Sequence, residues 1–117
     1  MDAQDRVRMR ILRELEAHPG ISQRELARRL GISLGKTNYV LRALLKKGLI
    51  KLKRFQDSPN KRAYLYVLTP EGMEEKARLV LAYYRIVASE YEMLKKELAR
   101  MGIEEDGARR ADVSSDS

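Results

Sequence analysis

The spacing of apolar positions along this chain changes from helical to alternating and back, and each change marks an element. From Asp5 to Ala17, Val7, Ile11, Leu12 and Leu15 recur at helical spacing, with Arg6, Arg10 and Arg13 off the stripe. His18-Pro19-Gly20 ends this helix, because proline cannot continue it and glycine supplies a permissive φ. Ser22-Gln23-Arg24-Glu25 reads as a capping box opening a short second helix that buries Leu26, Ala27 and Leu30. Gly31 closes it, Ile32 fills the turn, and Ser33 is placed to cap the next helix. Two short helices across a tight glycine-containing turn predict a helix-turn-helix.

The stretch from Ser33 to Lys47, SLGKTNYVLRALLKK, has two unlike faces. At about 100° per residue, Thr37, Val40, Leu41 and Leu44 share one side, and Gly35, Asn38, Tyr39, Arg42 and Lys46 share the other. One side can dock on a core. The other offers an amide, a phenol, a guanidinium and an ammonium, groups that read base edges and grip phosphates. Lys46-Lys47-Gly48 ends the helix with cations in the last turn and glycine after it. Leu49 to Phe55 then alternates, Ile50 and Leu52 against Lys51 and Lys53, as a half-buried strand does. Gln56 to Arg62 concentrates turn formers, and Ala63 to Leu68 is a second strand. The hairpin carries Asn60, Lys61 and Arg62 near its tip, and a helix-turn-helix followed by a basic-tipped hairpin predicts a winged helix.

Thr69-Pro70-Glu71 opens a final helix, with a cap, a proline at the tolerated first position and an acid that complements the dipole. Met73, Ala77, Val80, Tyr84, Val87, Tyr91, Leu94, Leu98 and Met101 then hold a heptad register for about four repeats. Such a helix would be roughly 45 Å long, more than one small domain covers. Leu79, Leu81, Tyr83, Ile86 and Ala88 add apolar groups off the seam, so the helix needs two partners, its own winged domain and a second subunit. A homodimer is expected, with Met73, Ala77, Val80, Tyr84, Val87, Tyr91, Leu94 and Leu98 at its interface. Tyrosines at repeated core positions favour crossing or antiparallel helices over a parallel zipper. The fold class is therefore mainly α with a small β-hairpin: a winged helix-turn-helix over 1–69, a dimerisation helix over 70–101 and a polar tail, expected to be disordered, over 102–117.

Charge sharpens this picture. The 117 residues carry a net charge of +7, but unevenly. Residues 1–69 hold sixteen Lys or Arg against six Asp or Glu, and residues 70–117 hold eight against eleven. No acid lies between Ser33 and Lys53. A basic front and a mildly acidic back point the front at a polyanion. The chain has no cysteine, which excludes disulfides, thiolate metal sites and thiol catalysis. Its start, MDAQDRVRMR, has no apolar signal region, and no apolar run approaches the roughly 18 residues of a membrane span, so a cytoplasmic protein is expected. The single histidine, His18, reads as a turn residue. With no Gly-rich phosphate loop and no acidic pair in an apolar context, neither an enzyme nor a metal or cofactor site is expected.

These residues also carry a resemblance. The run ISQRELARRLGISLGKTNYVLRALLKKGLIKLKR resembles the helix-turn-helix of MarR-type winged-helix transcriptional regulators. NKRAYLYVLTPEG resembles that family's wing and following helix start, where a basic pair precedes a strand ending in Leu-Thr-Pro-x-Gly. The compact size and single long last helix are similar to MarR-like regulators associated with exopolysaccharide gene clusters. The resemblance covers about residues 5–100. It implies a recognition helix in the major groove and a wing arginine, here Arg62, at the adjacent minor groove. Asn60 stands where many members carry Asp.

The expected function is sequence-specific binding of double-stranded DNA by a homodimer on an inverted repeat, read as repression. Asn38, Tyr39 and Arg42 are expected to read bases, and Ser33, Lys36, Lys46, Lys51 and Lys53 to contact phosphate. Gly35, at the groove-facing first turn, permits close backbone approach or is tolerated near a frayed end. A small-molecule effector is possible, with Tyr83, Tyr84 and Tyr91 either lining its pocket or filling the dimer core. The rival reading is a protein-interaction module with no preference among duplexes.

Overall fold

A computed structural model of the chain describes the backbone of residues 1–58 and 61–104 and the side chains of residues 1–54 and 64–104. The elements run α1 (Ala3–Ala17), α2 (Gln23–Leu30), α3 (Leu34–Lys46), β1 (Ile50–Ser58), β2 (Lys61–Leu68) and α4 (Pro70–Arg100). The strands pair antiparallel, from Ile50 opposite Leu68 to Ser58 opposite Lys61. This is the expected winged helix-turn-helix followed by one long helix. The chain divides into two compact units, residues 1–81 and 82–117.

The first unit is built largely on the predicted stripes, except that in α1 Met9 is buried in the core and the expected Val7 is only half-buried at its edge. Met9, Ile11, Leu12 and Leu15 from α1, Leu26 and Leu30 from α2, Leu41 and Leu44 from α3, Ile50 from β1 and Leu79 from α4 form its core. Val7, Ile21, Ile32, Val40, Leu45, Leu49, Tyr66 and Leu68 pack around it. Thr37 is fully buried, and its hydroxyl donates to the Ser33 carbonyl at 2.9 Å, which removes the cost of burying it. Val40, expected in the core, is only half-buried at its edge.

Several boundaries differ from expectation, each for a local reason. α1 begins two residues before Asp5, because Asp2 caps it: the Asp5 N–H donates to the Asp2 carboxylate at 2.8 Å and the Asp2 N–H to the Asp5 carboxylate at 3.2 Å. At α2 only half of the expected box forms. The Ser22 hydroxyl accepts from the Glu25 N–H at 3.0 Å, while the Glu25 carboxylate turns instead to Arg28 and Arg29. The strands run further towards the tip than turn-forming side chains suggest, since ladder pairing continues through Gln56–Arg62 and past an irregularity to Ser58–Lys61. Leu52, expected half-buried, is 48% exposed, because the ribbon has passed beyond the helices that cover Ile50.

Gly31 and Gly48 end α2 and α3 in the left-handed region, at φ 68° and 73°. In each case the following amide reaches back five residues in a Schellman motif, Ile32 to Ala27 and Leu49 to Leu44. α4 starts against this second turn. The Thr69 N–H donates to the Leu49 carbonyl at 3.1 Å, and its hydroxyl accepts from the Gly72 N–H at 3.0 Å. A Cβ on Gly72 would lie 1.8 Å from the Leu49 oxygen, so only glycine fits there.

The second unit contains the remainder of α4, which ends in a turn at Gly102 where the Ile103 N–H donates to the Leu98 carbonyl at 2.9 Å. Tyr84, Val87 and Leu94 are exposed, and Leu98 is half-buried. Of the expected seam residues in the first unit, Met73, Ala77 and Val80 are exposed as well. The side of α4 that joins the core is Leu79, off that seam. Most of the expected tail, residues 105–117, lies outside the described residues.

Two glycine substitutions should separate contact from propensity. Gly72→Ala should cost about 3 kcal/mol or more, because backbone must move to admit the methyl. Gly35→Ala, where nothing lies within 4 Å of the added carbon, should instead gain about 0.4–1 kcal/mol. Urea unfolding followed by circular dichroism measures both.

Candidate nucleic-acid interface

α3 is held by its buried face and presents the other. Ser33 caps it, its hydroxyl accepting from the Lys36 N–H at 3.0 Å, so this side chain has a structural duty besides the expected phosphate contact. The first turn holds no acid, unlike α1 with Asp5, α2 with Glu25 and α4 with Glu71. The positive end of the α3 dipole is thus left without a side-chain anion. Tyr39 is 74% exposed, and Arg42 and Lys46 are exposed beside it. Lys36 lies towards α1, where it borders a cleft of about 310 Å³ shared with Val7, Tyr39, Val40, Leu44 and Lys47. Lys51 and Lys53 are exposed on β1.

Asn38 is placed differently from its neighbours. It is half-buried, and its Nδ2 donates to Gln23 Oε1 on α2 at 3.2 Å. Gln23 Nε2 in turn donates to the Tyr66 hydroxyl on β2 at 2.9 Å. Neither Gln23 nor Tyr66 stood out in the sequence. They lie 15 and 43 residues from their partners in these bonds, and no local pattern signals a contact of that range. Asn60 lies outside the described residues. The backbones of Lys61 and Arg62 pair with Ser58 and Gln56, but their side chains are likewise outside the described set.

Several acids of this unit pair with arginines away from α3. Glu25 meets Arg28 at 2.5 Å and Arg29 at 3.3 Å, and Arg29 also meets Glu14 on α1 at 3.0 Å. Asp5 and Glu75 flank Arg8 at 3.8 and 3.6 Å. Among the described residues, Lys36, Arg42, Lys46, Lys51 and Lys53 form no ion pair, so their charge is available to an external anion. No group of His, Asp or Glu suited to a metal ion occurs among those residues either. No helix among them is long and apolar enough to cross a membrane.

The hydrogen bond from Arg28, with further help from Arg29, holds the Glu25 carboxyl down at about 2, against an ordinary value of 4.5. A depressed carboxylate stabilises the folded state above its unfolded value, and the contribution is lost as pH falls through the folded one. The difference in melting temperature between wild type and Glu25→Gln should therefore be constant above pH 4.5 and shrink between 4.5 and about 2. A difference independent of pH across that window would refute the assignment.

Comparison with known proteins agrees with this geometry. Residues 4–51 match the family described as winged helix-turn-helix DNA-binding. No curated protein matches the chain in sequence. Among solved structures, the chain is similar to the PcaV transcriptional regulator of Streptomyces coelicolor in complex with its natural ligand. The identity is 27% and the TM-score 0.57, over 92% of this chain and 70% of that one. It is similar to a Mycobacterium tuberculosis MarR family protein in complex with p-aminosalicylic acid, at 26% identity and TM-score 0.54, over 82% and 77%. An S. aureus MepR variant bound to an oligodeoxyribonucleotide shares the fold at 21% identity and TM-score 0.57, over 81% and 75%. The chain carries a winged helix-turn-helix DNA-binding domain in a fold shared with MarR-type transcriptional regulators.

Proposed function

We propose that this protein is a transcriptional regulator that binds a specific double-stranded DNA sequence as a homodimer and represses from an inverted repeat. The observation that carries the reading is the solvent side of α3: Tyr39, Arg42 and Lys46 exposed, Asn38 at its edge, and no acid from Ser33 to Lys53. α3 would enter the major groove, where Arg42 suits guanine O6/N7, Asn38 suits adenine N6/N7, and Tyr39 suits a thymine methyl or a phosphate. Ser33, Lys36, Lys46, Lys51 and Lys53 would contact phosphates, which position without specifying. The wing, with Asn60, Lys61 and Arg62, would place Arg62 at the minor groove. The DNA-bound MepR structure supports this arrangement by its shared fold. On this reading the protein works in the cytoplasm and has no catalytic role.

The dimer reading rests on the exposed heptad positions of α4. Met73, Ala77, Val80, Tyr84, Val87 and Leu94 remain open in the single chain, where a second copy would cover them. Tyr91 and Leu98 continue the register. Two recognition helices would then meet half-sites about 10–10.5 bp apart or a near multiple. The single long helix directly after the wing favours the regulators associated with exopolysaccharide genes within the broader fold group.

Selecting bound duplexes from a random pool at fixed salt tests specificity and palindromy together. A pool without a consensus would favour a protein-interaction module instead. On the selected site, Arg42→Ala and Arg62→Ala should each lose about 1–3 kcal/mol with helical circular dichroism unchanged. Lys46→Ala should weaken all duplexes alike and flatten the log–log salt slope by about one. Val87→Glu should give a monomer in sedimentation velocity, and an unchanged dimer would refute the seam.

A further inference from the structure

Three side chains from three elements are joined end to end beside the outer face of α3: Asn38 to Gln23 at 3.2 Å, and Gln23 to Tyr66 at 2.9 Å. All three are half-buried. At Asn38 the bond consumes one N–H and leaves the carbonyl oxygen and the second N–H. Those two groups are what a bidentate contact with adenine requires. A primary amide has two flip states of similar intrinsic energy, which exchange the positions of donor and acceptor. With Gln23 Oε1 facing Asn38, a flipped Asn38 would set oxygen against oxygen. The flip of Asn38 is therefore coupled to that of Gln23. Gln23 is held at its other end by Tyr66, which roots the wing and packs against the core.

We propose that Gln23 and Tyr66 are specificity-determining positioning residues: Tyr66 anchors Gln23 beside Asn38, and Gln23 couples its own orientation to the order of donor and acceptor that Asn38 shows to a base. The inference rests on α3 being the DNA-reading helix, and it adds that a side chain on the wing root governs discrimination at a base it does not touch. The bond directions make a sharper statement. A hydroxyl can donate or accept, so Tyr66 alone tolerates either orientation of Gln23. A carboxylate at position 23 accepts only, from Asn38 on one side and the Tyr66 O–H on the other. Gln23→Glu therefore locks Asn38 in the observed orientation, whereas Gln23→Leu releases it.

The test measures affinity for the selected duplex and for duplexes with each base pair replaced in turn. Asn38→Ala should abolish preference at one base pair, a loss on the order of ten-fold. Tyr66→Phe and Gln23→Leu should reduce preference at that same base pair by about three-fold or more, with random-duplex affinity and salt slope as in wild type. Gln23→Glu should keep the preference while its added charge lowers affinity for every duplex. A scaffold role would instead lower all positions equally, and that result overturns the proposal. So does a preference at the Asn38-dependent base pair unchanged in Tyr66→Phe.

Nuclear magnetic resonance of the free protein separates the relay from the DNA reading. Tyr66→Phe should shift the Asn38 side-chain amide signals, and signals identical to wild type refute the relay whatever the DNA result. A wild-type protein with no preference among duplexes defeats the DNA reading, and with it the specificity role, even if the amide signals shift.

Discussion

The winged unit depends on one carbonyl. The Leu49 oxygen accepts the Thr69 N–H, and Gly72 passes so close to it that no side chain can intervene. Leu49 is also the residue whose N–H completes the turn ending α3, and the next residue, Ile50, opens the strand ladder opposite Leu68. The end of the recognition helix, the root of the wing and the first turn of α4 thus share one fixed point. Glycine in a helix costs about 1 kcal/mol relative to alanine. The cost is accepted at position 72 because the alternative is a collision of Cβ with backbone, which cannot relax by rotating a side chain.

Around this frame, charge is sorted by element. Individually, exposed ion pairs such as Arg28–Glu25 stabilise a fold little. Collectively they decide where the field is positive. Glu14, Glu16, Glu25 and Glu75 are paired with Arg29, Lys76, Arg28 and Arg78, on α1, α2 and α4, so these four acids are neutralised close to where they stand. α3 and β1 keep their cations unpaired among the described residues. A duplex approaching the outer face of α3 would meet those cations without a competing carboxylate on the same helix.

Much of this was readable from residue order, for a physical reason. Helix stripes, Ser33 and Thr69 as caps, and Gly31 and Gly48 as stops are encoded within four or five residues of where they act. The errors fall where distance in sequence exceeds that range or where the backbone overrides side-chain preference. Leu52 obeys strand alternation, yet its burial depends on whether a helix covers it. Gln56 and Ser58 look like turn residues, yet ladder bonds draw them into the strand. Glu25 has the spacing of a capping box, but two neighbouring guanidiniums outcompete one backbone N–H. At the interface, the exposed Tyr39, Arg42 and Lys46 follow from helix geometry alone. The tie from Asn38 to α2 and onward to β2 does not, because it is a property of tertiary packing.

That tie changes when the conformational cost of reading a base is met. An unrestrained polar side chain surrenders its rotamer freedom on association, at about 0.5–1.5 kcal/mol for a flexible one. Arg42, long and exposed, would surrender it when DNA arrives. Asn38 surrenders it when the protein folds, and the packing of the winged unit absorbs the loss. Two residues one turn apart on the same helix would therefore contribute to recognition with opposite thermodynamic character, one preorganised and one ordered by its target.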